Sequence, residues 1–165
     1  MPFTPFHFGP AMLFVFLFFP FFDVAALLLS SVIVDVEPFG VLFLGFPGPL
    51  HGFLHTFVGA TIMGILASFL VYILQLPVQR ILVLFKIRQE TKISRIVYTS
   101  LFGTYSHVFL DSFLYAEMNP FFPFLGNPLY GLLPGLWIYM ICMIGFLIGF
   151  LLYLFRLVIL ANDTV

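Results

Sequence analysis

Residues 135–160 read GLWIYMICMIGFLIGFLLYLFRLVIL, an apolar run whose one charge, Arg156, comes near its end. As an α-helix at about 1.5 Å per residue this run is about 39 Å long, more than the roughly 30 Å of a bilayer's hydrocarbon core. It reads as a transmembrane helix, and the rest of the chain shares its character. The 165 residues are 62% hydrophobic and only 8% charged, with 25 Phe and a mean hydropathy of +1.18. Soluble domains carry roughly 25% charged residues, so this chain cannot cover a water-facing surface. It is expected to be a single integral-membrane domain, 1–165. A net charge of -1 gives no reason to expect nucleic acid as a partner; membrane lipid is the expected one. The one cysteine, Cys142, permits neither an internal disulfide nor a thiolate cluster. The opening Met-Pro-Phe-Thr-Pro-Phe-His7 lacks the basic region of a signal peptide, so the N-terminus is read as mature.

Two further stretches are long enough to span: 53–76, and 96–115, which carries His107 and Asp111. Towards the N-terminus, 8–22 and 24–37 are apolar and are separated by Pro20 and Asp23. They form either one kinked helix or a helical hairpin. The hairpin is favoured, because Asp23 is a good N-cap and because it returns Asp35 to the end where His7 began. Residues 39–49 and 119–134 are apolar yet rich in Gly and Pro, which break helices. They read as interfacial or re-entrant segments, since irregular backbone at membrane depth needs cover from protein or a cavity. The expected fold is all-α, a polytopic membrane bundle of four to five transmembrane helices.

Arg80, Lys86, Arg88, Lys92 and Arg95 all lie in the connector 77–95, and Arg156 lies near the end of the last helix. Cytoplasmic loops carry the excess of Lys and Arg, so the connector and the C-terminus are expected to be cytoplasmic in a multi-pass plasma (inner) membrane protein. His51 and His55 then fall at the outer end of their helix. His107 lies roughly 18 Å above Arg95, with Asp111 one turn higher. With the hairpin, His7, Asp35 and Glu37 reach the same side. The charge rule made no use of the histidines, yet it gathers all of them on one face.

Ionisable groups inside a membrane are costly and usually mark function. His51 and His55 make an i,i+4 pair expected in the first turn of a helix after Pro49. His107 and Asp111 make another, deeper pair. Imidazole and carboxylate at this spacing suit a metal ion, and the candidate ligands are His7, Asp35, His51, His55, His107 and Asp111. Each has a plainer reading: an interfacial histidine pair, a His–Asp hydrogen bond between helices, or carboxylates solvated at the surface. Asp35 and Glu37 are candidates for binding metal or for catalysis, with Glu37 as general base. They stand i,i+2, so both can enter one site only where the backbone leaves helical geometry, which Pro38 encourages.

The order His7 … Asp35-x-Glu37 … His51-x-x-x-His55-Thr56 … Ser106-His107-x-x-x-Asp111 … Asn119-Pro120 … Pro123 resembles the membrane-bound metal-dependent hydrolases. These are the YdjM-like, LexA-binding inner-membrane family, here in an archaeal-type branch. The resemblance covers most of residues 7–124. The chain departs from the pattern at Gly52, where the family often has Arg, at Thr56 for Ser, and in Val-Asp-Val-Glu-Pro for the acidic motif.

The resemblance implies hydrolysis at a metal, commonly likened to zinc-dependent phospholipase C. The expected cofactor is a divalent metal, one or two ions, zinc first, with Mn²⁺, Fe²⁺ and Co²⁺ compatible. The expected substrate is an amphiphilic, lipid-like ester or phosphoester. No Lys or Arg lies near the candidate site, which weighs against phosphate unless the metal carries the charge stabilisation. Two alternatives stand beside this reading: a non-catalytic membrane subunit with structural His/Asp pairs, and a metal-ion binding or transport protein. The second requires a polar path to the cytoplasmic side, for which Ser68, Gln75, Thr99 and Ser100 offer little.

Overall fold

A computed structural model describes residues 4–90 and 92–162; the opening residues 1–3 lie outside the described residues. Every regular element among the described residues is helical. The α-helices are α1 (Phe8–Leu17), α2 (Val24–Ser30), α3 (Val36–Leu44), α4 (Phe57–Ile73), α5 (Gln75–Leu84), α6 (Ile93–Ser112) and α7 (Gly135–Asn162). Short 3₁₀ turns precede α1, α3 and α4, at Thr4–His7, Ile33–Asp35 and Phe53–His55.

Two stretches are long and apolar enough to cross a membrane, Val24–Leu44 and Gly135–Ala161. A third joins them if α4 and α5, bent by 77° at their junction, count as one span. The stretch Pro5–Leu17 is apolar but shorter. Helix α6 has the length, but it buries Thr99, Ser100, Thr104, His107 and Asp111, and these polar residues lower its hydropathy. The outward faces suit lipid: Ile62, Ile65 and Phe69 on α4 and Met143, Leu147 and Leu151 on α7 are all exposed.

Two local features differ from the sequence reading. The segment 39–49 is not irregular throughout, because α3 runs on to Leu44 and ends at Gly45 in the left-handed region (φ 69°). Pro38 sits in the first turn of α3, where a missing N–H breaks no helical bond, so it helps start a helix. His51 and His55 do not share the first turn of an α-helix. His51 lies in a bend and His55 ends a 3₁₀ turn. Gly52 (φ -95°, ψ -130°) breaks the helix between them. Thr56 is the cap of α4, its Oγ1 accepting from the Gly59 N–H at 2.9 Å.

The bundle is tied at one end by the turn between α1 and α2. The Asp23 carboxylate caps α2 through the Ala26 N–H (2.9 Å). Buried Gln89 donates to the Phe19 and Phe22 carbonyls (2.7 and 2.8 Å) and accepts from the Val24 N–H (2.9 Å). Arg156 lies over the Phe19 ring, 3.6 Å from its centroid. Helix α1 packs on α7 so closely that a Cβ on Gly9 would fall 1.9 Å from the Cys142 carbonyl oxygen. Helix α6 runs between α2 and α4, and a Cβ on Gly103 would fall equally close, 1.9 Å, to Ser30 Oγ. Small residues at such crossings let membrane helices approach backbone to backbone. The result is a bundle with its basic residues and Gln89 at one end and its histidines at the other.

Candidate metal centre

The site forms where α2 stops. The helix ends at Ser30, and a 3₁₀ turn at Ile33–Asp35 redirects the chain into α3. That end leaves the Ser31 carbonyl without a helical donor, and His107 Nδ1 meets it at 2.7 Å. A carbonyl only accepts, so Nδ1 carries the hydrogen, and a neutral His107 has its lone pair on Nε2. The same logic fixes His55, whose Nδ1 donates to Glu37 Oε2 at 2.8 Å.

Both Nε2 atoms face two carboxylates. His107 Nε2 lies 3.4 Å from Asp35 Oδ1 and 3.3 Å from Asp111 Oδ2. His55 Nε2 lies 3.8 Å from each of the same two oxygens. One ligand atom from each of Asp35, His55, His107 and Asp111 lies within 4.8 Å of all the others, and three of these residues are buried. Ligands bonded at 2.0–2.1 Å to a tetrahedral ion stand about 3.3–3.4 Å apart. The group therefore has the donors and nearly the spacing to hold a metal ion.

Hydrogen bonding leaves both Nε2 atoms, the remaining oxygen of each carboxylate and His7 unsatisfied. His55 Nε2, His107 Nε2, Asp35 Oδ2, Asp111 Oδ1 and both nitrogens of His7 are buried without a hydrogen-bond partner. Each such atom costs about 1–3 kcal/mol when left unpaired. Six at one place are a reason to expect a cation there.

The remaining candidates stand around this group in different roles. His7 stacks on His107, with ring centroids 3.8 Å apart, and its Nε2 lies 3.3 Å from Asp111 Oδ1. Glu37 is engaged through both oxygens: Oε2 takes His55 Nδ1 and the Gly52 N–H, and Oε1 takes the Leu54 N–H. Glu37, read from sequence as a candidate general base, lies against the ring nitrogen of His55 opposite the one that faces Asp35 and Asp111. Asp35 and Glu37 both reach His55, on opposite ring nitrogens, because the 3₁₀ turn breaks the helical register between them.

His51 packs edge-on against His55 at 4.8 Å, but its Nδ1 donates to Glu117 Oε1 at 2.9 Å and its ring stacks on Tyr115 at 3.7 Å. Burial holds His51 below its usual pKa, against the pull of Glu117, so the ring is neutral at pH 7. Partial burial disfavours the charge on Glu117, but the bond from His51 outweighs it and lowers that pKa.

Sequence reasoning passed over Glu117, Tyr115 and the Ser31 carbonyl. Glu117 had a signal, being the one carboxylate in the apolar segment between α6 and α7. That segment is held over the site by Asn127, which donates to the Ser112 and Tyr115 carbonyls at 2.8 Å. It is joined to α4 by the Phe57 N–H to the Pro120 carbonyl at 2.9 Å.

Comparison with protein-family models, with curated proteins and with solved structures finds no match.

Proposed function

We propose that the chain is a membrane-embedded metal-dependent hydrolase acting on a lipid-like or phosphoester substrate. The observation that carries this reading is a contrast in distance. The Nδ1 contacts of His51, His55 and His107 are hydrogen bonds of 2.7–2.9 Å. The Nε2 contacts of His55 and His107 with Asp35 and Asp111 are 3.3–3.8 Å. His–Asp pairs that merely stitched helices together would close to hydrogen-bond length. Ligands sharing an ion stay apart.

In this reading Asp35, His55, His107 and Asp111 hold the ion, with Zn²⁺ suited to the donor set and Mn²⁺, Fe²⁺ or Co²⁺ compatible. When bound, a divalent ion lowers the pKa of a water towards neutrality and polarises the scissile group. Glu37 and the Ser31 carbonyl keep two imidazoles in the ligating tautomer. Proton transfer falls to His51, which lies beside His55 and is backed by Glu117, the more exposed carboxylate of the group. The fold is then a bundle of four to five spans, with α6, about 30 Å long, crossing at its centre. The basic end faces the cytoplasm by the positive-inside rule, which puts the site on the outer side. The resemblance to the membrane-bound metal-dependent hydrolases supports the same chemistry.

The test is metal content by elemental mass spectrometry on detergent-purified protein, with His107→Ala and Asp111→Asn variants checked for folding. Bound metal in the parent, lost in both variants, is expected. A panel of phospholipids and phosphoesters, run with metal stripped and restored, then finds the substrate. No metal in the parent after incubation with Zn²⁺ or Mn²⁺ would sink the reading.

A further inference from the structure

Asp111 offers its two oxygens to two different histidines. Oδ2 faces His107 Nε2 and Oδ1 faces His7 Nε2, each at 3.3 Å. These distances lie just beyond the usual 2.7–3.2 Å of a hydrogen bond and match two ligands sharing one ion. Both Asp111 Oδ1 and His7 Nε2 are buried and unpaired. So is Asp35 Oδ2, while the other oxygen of Asp35 faces His55 and His107. The ion described above accounts for Oδ2 of Asp111, and leaves Oδ1 and His7 unexplained. His7 is 4% exposed and Asp111 1%, so water does not easily take over.

The rings of His7 and His107 are stacked, 24° from parallel, with centroids 3.8 Å apart. Two-metal centres separate their ions by about 3.5–4 Å. Stacked rings whose Nε2 atoms face opposite oxygens of one carboxylate match that spacing.

We propose that His7 Nε2 and Asp111 Oδ1 form a second cation position beside the first, with Asp111 bridging the two ions and Asp35 Oδ2 available to the second. The proposal rests on the metal-site reading and extends it to a dinuclear centre. It also answers a deficit of the site. All six Lys and Arg residues lie outside it, at Arg80, Lys86, Arg88, Lys92, Arg95 and Arg156. Arg95 and Arg156 pack at the opposite end, against Pro20 and Phe19. Phosphoryl chemistry needs positive charge at the reacting group. A second divalent cation supplies it where no side chain does.

The experiment counts metal in the full chain, purified in detergent and loaded with Mn²⁺ or Zn²⁺. Two equivalents are expected in the parent, one in His7→Ala and none in Asp111→Asn. Where His7→Ala fails to fold, the parent alone decides by electron paramagnetic resonance of the Mn²⁺ form. An exchange-coupled pair is expected, and an isolated six-line signal would overturn the proposal. One equivalent in the parent, whether or not His7→Ala keeps it, overturns the second position and leaves the first intact. Loss of both ions from a folded His7→Ala variant also overturns it, by making His7 a ligand of the first. No metal in the parent removes both readings together.

Discussion

Replacing Glu37 by Gln separates an orienting carboxylate from a general base. Glu37 accepts from three donors: His55 Nδ1–H at 2.8 Å and the Gly52 N–H at 2.9 Å on one oxygen, and the Leu54 N–H at 3.1 Å on the other. A Gln has one acceptor oxygen. If it faces His55 and Gly52, the new NH₂ group confronts the Leu54 N–H, donor against donor. If it faces Leu54, the NH₂ confronts His55, which must move its hydrogen to Nε2 and lose the lone pair that would bind metal. The first arrangement weakens the support of His55 and the second abolishes its ligand. Outer partners of this kind are worth tenfold to a hundredfold in metal affinity, or about 1.4–2.7 kcal/mol. Competition with a chromophoric chelator in detergent measures it directly, with circular dichroism as the check on folding. The expected result is a weaker metal complex by that factor. Parent-like affinity in a folded Glu37→Gln protein would refute the reasoning, and loss of turnover alone would return Glu37 to the role of base.

Three other perturbations test other parts of the bundle. Gly9→Ala places a methyl 1.9 Å from the Cys142 carbonyl oxygen, a backbone atom with no rotamer to yield. About 1–3 kcal/mol of destabilisation is expected as a lower melting temperature, and an unchanged one would mean that α1 and α7 are not in such close contact. Gln89→Ala removes three hydrogen bonds at the basic end, one buried and two partly buried. A loss of about 2–4 kcal/mol is expected with unchanged metal stoichiometry, because the site lies at the other end. The pH dependence follows from His51 and Glu117. Both have folded pKa values below their ordinary 6.5 and 4.5, so the unfolded state binds protons first as pH falls. Their contribution is complete above the ordinary value and is lost on acidification, His51 below about 6.5 and Glu117 at more acid pH. Hydrogen-exchange protection of residues 113–134, taken relative to the intrinsic amide rate at each pH, is expected to fall between pH 7 and pH 5, less so in His51→Gln, and an equal fall in both would contradict this.

The membrane character and the helical class were legible because they rest on composition. So was the gathering of the site: hydropathy and the basic residues brought His51, His55, His107 and Asp111 to one end, and the hairpin added His7, Asp35 and Glu37. Roles were not legible, since they depend on where helices break. Spacing made His51 and His55 equivalent, but Gly52 and the 3₁₀ turn at Phe53–His55 put one ring on Glu117 and the other on Glu37. Spacing also set Asp35 and Glu37 apart, and the turn at Ile33–Asp35 brought both to one imidazole. The Ser31 carbonyl has no signature in a sequence, because it becomes available only where α2 ends. Helix α6, read from sequence as a span at 96–115, has the length but is not among the two or three stretches apolar enough to cross a membrane. Its buried polar face lowers the hydropathy that identifies a membrane helix, although burial is what makes that face tolerable.

The exposure of the carboxylates gives the site a direction. The side chains of His107 and Asp111 are 0% and 2% exposed, those of Asp35 and Glu37 15% and 16%, and that of Glu117 45%. Exposure therefore rises from His107 and Asp111 towards α3 and the segment carrying Glu117. Towards the basic end the polar groups serve packing. Ser30 Oγ donates to the Leu27 carbonyl, Ser68 Oγ to Gly64 and Thr104 Oγ1 to Ser100, each within its own helix. Ser30 also fills the space at Gly103, with no room left even for a methyl group. Hydroxyls satisfied by their own helix carbonyls let α2, α4 and α6 approach. On the reading proposed above, an ion would enter past Glu117, Glu37 and Asp35 and reach the buried His107 and Asp111 last.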